Sequence, residues 1–128
     1  MEELEKRFYG TLLYHILELK KKIALIVASS GVASLLLPNG RTAHSRFRIP
    51  IDTDELSMCD IKRGTKLAKL LIETSLIIWD EALMTNKQCF EAFDRSLRDI
   101  MTETNEKAID ITFGGKVIVL GGDPKHKS

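Results

Sequence analysis

LIIWDE, residues 76–81, decides how this chain folds: four apolar residues end abruptly in two adjacent carboxylates, Asp80 and Glu81. A run that is apolar at every position, not at alternate ones, is a strand covered on both faces, as in parallel sheets. Two similar runs lie either side of it, IALIVA at Ile23–Ala28 and KVIVL at residues 116–120. Helical spacing fills the intervals. Leu4, Phe8, Leu12, Leu13, Ile16 and Leu17 mark a helix over residues 4–19, ended by Lys20, Lys21 and Lys22. Residues 32–37 form a short helix stopped by Pro38, Asn39 and Gly40, and Leu67, Leu70 and Leu71 mark another ending near Thr74. Thr85 or Asn86 caps a last helix with Phe90, Phe93, Leu97 and Ile100 or Met101 on its apolar face. Residues 41–54 read as irregular because Pro50 breaks them, and residues 102–110 read as a polar connection. Alternating buried strands and helices predict an α/β fold with a three-stranded parallel sheet, residues 76–79 in its centre. Ligands of such sheets gather at the carboxyl ends of the strands. All three ends here are polar or glycine-rich: Ser29-Ser30-Gly31, Asp80-Glu81 and Gly121-Gly122-Asp123.

Composition narrows the function. At 128 residues the chain is one small domain at most, and 44% apolar with 29% charged residues is ordinary for a globular protein. No apolar run approaches the ~18 residues of a membrane span, and the charged start MEELEKRF does not read as a signal peptide. Cys59 and Cys89, with no neighbours at metal-ligand spacing, read as reduced thiols. Aromatic residues at 6% argue against a fold that binds single strands by stacking. The net charge of +1 conceals a segregation. Between Glu18 and Asp52 there is no carboxylate, while Lys20, Lys21, Lys22, Arg41, Arg46 and Arg48 are all cationic, with His44 among them. Such a segment suits a polyanionic partner, although a solvated surface explains it equally well.

The acidic pair carries the chemistry. Nucleotide hydrolysis needs one carboxylate to hold the Mg²⁺ that neutralises the phosphates and another to polarise the attacking water. Adjacent residues at a strand end diverge and can serve both tasks, Asp80 as the metal partner and Glu81 as the water activator. The plainer alternative is a strand running out into an exposed acidic turn.

With these pieces placed, the sequence resembles a family. VASSGVASLLLPNGRTAHSRFRIPI, residues 27–51, is similar to the first DNA-contacting motifs of superfamily-one DNA helicases of the petite-integration-frequency type, including Helitron-related plant copies. LIIWDEALM, residues 76–84, resembles their Walker B motif. FGGKVIVLGGDPKHKS, residues 113–128, resembles their third motif, and residues 9–17 resemble the helix after their phosphate loop. The resemblance implies a RecA-like P-loop NTPase domain and an ATP-dependent motor that unwinds DNA 5′-to-3′ with ATP and Mg²⁺. It places Ser29, Ser30, Gly31, Arg41, Thr42, His44 and Arg46 against single-stranded DNA, Asp80 and Glu81 at the hydrolytic centre, and Asp123 and His126 where the third motif senses the γ-phosphate. The family usually has glutamine at the last position. It also implies a nuclear or mitochondrial setting with access to DNA, and leaves the oligomeric state open.

The sequence departs from the family at its start, where no G-x-x-x-x-G-K-[ST] loop is present; Lys6-Arg7 stands without preceding glycines. The expectation is therefore a partial first RecA-like domain over residues 1–128, without the phosphate-loop strand or a second motor domain, and inactive as an ATPase by itself. Its strand at 116–120 would then carry an unpaired edge. The alternative reading is a non-catalytic nucleic-acid-binding module using the basic segment 20–48.

Overall fold

The computed structural model describes residues 2–121, with side chains from Gly10 onward. Along the chain come α1 (Glu2–Leu19), β1 (Ile23–Ala28), α2 (Gly31–Ser34), β2 (Arg41–Thr42), α3 (Ala43–Phe47), α4 (Lys66–Glu73), β3 (Thr74–Asp80), α5 (Lys87–Met101) and β4 (Val117–Leu120). Short 3-10 turns occupy Ala82–Met84, Glu106–Asp110 and Thr112–Gly115. The sheet is wholly parallel, in the order β2-β1-β3-β4.

The expected α/β architecture and the central position of residues 76–79 are observed; the strand count is corrected from three to four among the described residues. The added strand, β2, has two residues, Arg41 and Thr42, paired with Val27 and Ala28. Two residues are too few to show a period. Residues 41–54 are accordingly not irregular throughout. Thr42 caps α3 by accepting from the Ser45 N–H at 3.2 Å, and α3 ends at Arg48 in the left-handed region (φ 53°). The helix expected at 32–37 is shorter and begins one residue earlier, with Ser30 as its cap. Asn86, not Thr85, caps α5.

Strand alternation splits the core in two. Leu25, Val27, Ile77 and Trp79 face α3, α4 and α5, where Phe47, Leu71, Phe93 and Leu97 are buried. Ala24, Ile26, Ala28, Leu76 and Ile78 face the other way, towards Tyr14, Ala33 and Leu37. Gly10 lies over this face of the sheet: a Cβ there would make ordinary contact with Ile78 Cγ2 at 3.6 Å. Lys116 was expected to open the last strand. Its ammonium instead turns inward and donates to the carbonyls of Ile72 and Thr74, both at 2.6 Å, closing the junction between α4 and β3. Among the described residues no strand pairs with the outer edge of β4, and Val117, Val119 and Leu120 are exposed.

Candidate functional site

Parallel register brings the strand ends together. Ala28 lies opposite Asp80, and also opposite Thr42; Trp79 lies opposite Leu120. The turns after β1, β3 and β4 therefore share one rim. Backbone bonds join them: Ser29 N–H to the Asp80 carbonyl (3.2 Å), Gly121 N–H to the Trp79 carbonyl (2.8 Å) and Ala82 N–H to the Gly121 carbonyl (2.7 Å). A Cβ on Gly121 would stand 3.5 Å from Asp80 Oδ1. The Gly121 end of β4 thus lies beside the acidic pair. Asp123 and His126, expected there as γ-phosphate sensors, lie outside the described residues.

Asp80 is the last residue of β3 and only 8% exposed. Its Oδ1 accepts the N–H of Glu81 at 3.0 Å. Glu81 takes a left-handed conformation (φ 56°, ψ 38°), which non-glycine residues adopt at a cost of roughly 1–2 kcal/mol. Its carboxylate accepts from the Ser30 hydroxyl at 2.9 Å, and its carbonyl accepts from the Ser29 hydroxyl at 2.7 Å.

The expected DNA-contacting residues separate into two sets. Ser29 faces inward: its hydroxyl also accepts from the Trp79 indole N–H at 3.1 Å and contacts the Thr85 hydroxyl. One proton and two lone pairs are all a hydroxyl offers, so Ser29 acts as a tie between β1 and β3. His44 is half-buried, its Nε2 3.6 Å from Cys89 Sγ, and Thr42 caps α3. By contrast Gly31 and Arg41 are exposed, and a Cβ on Gly31 would meet nothing within 4 Å. Ser30 bridges the two sets, capping α2 through the Ala33 N–H at 3.2 Å while holding Glu81. Arg46 is half-buried, and burial together with the neighbouring Arg41 charge lowers its pKa.

Sequence reasoning offered Thr85 only as a helix cap and missed its place beside Ser29 and Trp79. The signal available was Trp79 itself, a buried indole whose N–H requires an acceptor; it also reaches Thr85 Oγ1 at 3.3 Å.

Hard oxygen donors of this kind suit a magnesium-bound nucleotide. Mg²⁺ is usually held by one or two carboxylates, with phosphates and water completing its shell. Asp80 supplies such a carboxylate at a strand end. Among the described residues no group of three or more His, Cys, Asp or Glu side chains gathers into an all-protein metal cage.

Comparison with known proteins agrees with this geometry. A family description, PIF1-like helicase, matches residues 5–127. No curated protein sequence matches the chain. Among solved structures, Bacteroides Pif1 bound to ssDNA is 30% identical with a TM-score of 0.69, over 88% of this chain and 25% of that one. Pif1 from Bacteroides sp in complex with ADP-AlF4 gives 30% and 0.68, over 88% and 25%. The unliganded Bacteroides sp protein gives 29% and 0.65, over 88% and 24%. The chain therefore spans about a quarter of the length of the structures it matches. The parallel α/β sheet, the shared rim and these matches together make the chain a member of the PIF1-like helicase family, with its RecA-like fold.

Proposed function

We propose that residues 1–128 are part of the first RecA-like domain of an ATP-dependent DNA helicase moving 5′-to-3′, with the carboxyl-end rim as its DNA and nucleotide face. The observation that carries this reading is the hydrogen bond from Ser30 to Glu81. It joins the turn expected at the DNA to the carboxylate expected at the water.

In this reading Asp80 would hold Mg²⁺, and Glu81 would orient the attacking water and take its proton. Bound there, the ion and its nucleotide would supply charge neutralisation during phosphoryl transfer. Asp123 and His126 would sense the γ-phosphate. On the other side of the rim, the backbone of Ser30 and Gly31 and the side chains of Arg41 and Arg46 hold the strand, while Thr42, capping α3, and His44, against Cys89, position that segment. Hydroxyls and N–H groups meet phosphate oxygens there, while the arginines neutralise them. Ser29 acts indirectly by fixing the turn. A phosphate that draws on the Ser30 hydroxyl competes with Glu81 for its single proton, so strand binding and carboxylate position are linked.

A second reading rests on the acid-free basic segment 20–48, in which Arg41 is exposed beside the rim. The 128 residues would then bind nucleic acid without hydrolysis. One experiment separates the two. The chain is titrated with fluorescent single-stranded DNA over a range of salt, and ATP turnover is measured with and without DNA. Salt-sensitive binding is expected on both readings. DNA-stimulated turnover lost in Glu81→Gln would establish hydrolysis by these residues and remove the second reading. Where binding occurs without turnover, Glu81→Ala decides, since DNA affinity changes if the Ser30–Glu81 link carries the site and stays the same on the second reading. Absence of binding even at low salt would defeat both.

A further inference from the structure

Beside the rim runs a trough between α3 and the start of α4. It consists of two hollows of about 280 and 330 Å³ that share Arg48 and Lys66 in their walls, with Leu67 as a common floor. Arg41 and Arg46 line the first hollow and Lys62 the second. Asp60 is the single carboxylate at its edge. Among the described residues, none of the five cations forms an ion pair with a carboxylate. They come from two parts of the sequence: Arg41, Arg46 and Arg48 from the acid-free stretch, Lys62 and Lys66 from beyond it. Folding gathers like charges here without supplying their counter-ions. Arg46 registers the strain, since burial and the Arg41 charge both lower its pKa.

We propose that this trough is a second seat for the phosphodiester backbone of a nucleic-acid strand, continuing the path from the rim past α3. The inference rests on the proposed nucleic-acid reading and extends it to Arg48, Lys62 and Lys66. Two joined hollows with cations on both walls fit successive phosphates better than a single anion, and the leucine floor accepts the apolar faces of sugars. Arg48 itself stands in a left-handed conformation (φ 53°), where glycine is the ordinary occupant. That permits a clean substitution: Arg48→Gly removes the cation and suits the backbone. Lys66→Ala suits the first turn of α4.

The test compares the full chain with the Arg48→Gly/Lys66→Ala variant. Each is titrated by fluorescence anisotropy with oligo-dT of about 20 nucleotides in roughly 20 to 200 mM salt, the span over which counterion release is measurable. Losing two phosphate contacts should weaken binding about tenfold at the low-salt end and flatten the log–log salt slope by about 1.4. Circular dichroism should show unchanged helix content and melting. If the full chain binds and the folded variant keeps its affinity and slope, the trough is overturned while the rim reading stands. If the full chain binds no DNA, both fall. If poly-glutamate of equal charge displaces DNA from the full chain, but not from the variant, the trough belongs to an acidic polypeptide and the proposal is overturned.

Discussion

Ser29→Ala tests whether this serine holds the rim together or touches DNA. Its hydroxyl donates to the Glu81 carbonyl at 2.7 Å, accepts from Trp79 Nε1 at 3.1 Å and contacts Thr85. A typical intramolecular hydrogen bond contributes about 1 kcal/mol net. The loss is not simply threefold. Trp79 N–H keeps Thr85 at 3.3 Å, and the half-buried Glu81 carbonyl can turn to water. The remaining deficit is about 2 kcal/mol, roughly a thirtyfold shift in the folding equilibrium. For a domain of this size that lowers the melting temperature by about 8 °C. Urea denaturation followed by Trp79 fluorescence measures the first quantity, and calorimetry the second. At a temperature where both proteins are folded, affinity for single-stranded DNA should change less than about threefold, because the missing hydroxyl faces inward. A variant as stable as the original would refute the structural assignment. So would a folded variant with tenfold weaker DNA binding.

Three further outcomes follow from local geometry. Burial pushes the Cys59 thiol up to about 12 from 9.0. The folded chain then holds this proton more tightly than the unfolded one, so the stability it contributes is present below pH 9 and is lost as pH rises towards 12. Denaturation midpoints should fall over that window, less so in Cys59→Ala, and iodoacetamide at pH 8 should label Cys59 only after unfolding. Gly40 lies against the end of α2, where a Cβ would sit 1.7 Å from the Ser34 carbonyl oxygen. Gly40→Ala should destabilise by more than about 3 kcal/mol in urea, and a loss below 1 kcal/mol would show that this turn can move aside. Finally, the edge of β4 that no strand pairs with among the described residues, with its exposed valines, invites pairing between copies of the 128-residue chain. Sedimentation at about 100 μM should show association that Val119→Lys reduces, and a monomeric parent chain would remove this expectation.

The elements legible in the sequence were those whose burial imposes a pattern. IALIVA and LIIW are apolar throughout because helices cover both faces of the central strands, and α5 displays Phe93 and Leu97 at helical spacing for the same reason. What escaped was set by single backbone states or by distant partners. Residues 41–48 hide a two-residue strand and a five-residue helix, too short for any period, and the helix stops at an arginine with positive φ where turn signals look for glycine or asparagine. The rim itself was legible from three polar strand ends. The direction of each hydroxyl was not: Ser29 turns inward because Trp79, fifty residues on, has an N–H to satisfy. Lys62 and Lys66 escaped because the acid-free stretch stops at Asp52 along the chain, while the charged surface continues in space.

Glu81 shows why the rim is built so tightly. Its left-handed backbone opposes folding by roughly 1–2 kcal/mol, a cost that glycine would abolish. Contacts from several segments hold it there: its N–H to Asp80 Oδ1, its carbonyl from Ser29, its carboxylate from Ser30, and the next N–H to Gly121. Backbone strain persists only where the surroundings over-determine it. Glycine would release the strain but delete the carboxylate, and it is the carboxylate that the arrangement aims. The same contacts make Glu81 responsive, because three of its four anchors lie in the turns after β1 and β4. A ligand that shifts the Ser29–Gly31 turn therefore moves a carbonyl and a carboxylate of one residue together. Rigid ties across a strained residue are how a small displacement at one strand end can reach the carboxylate at the next.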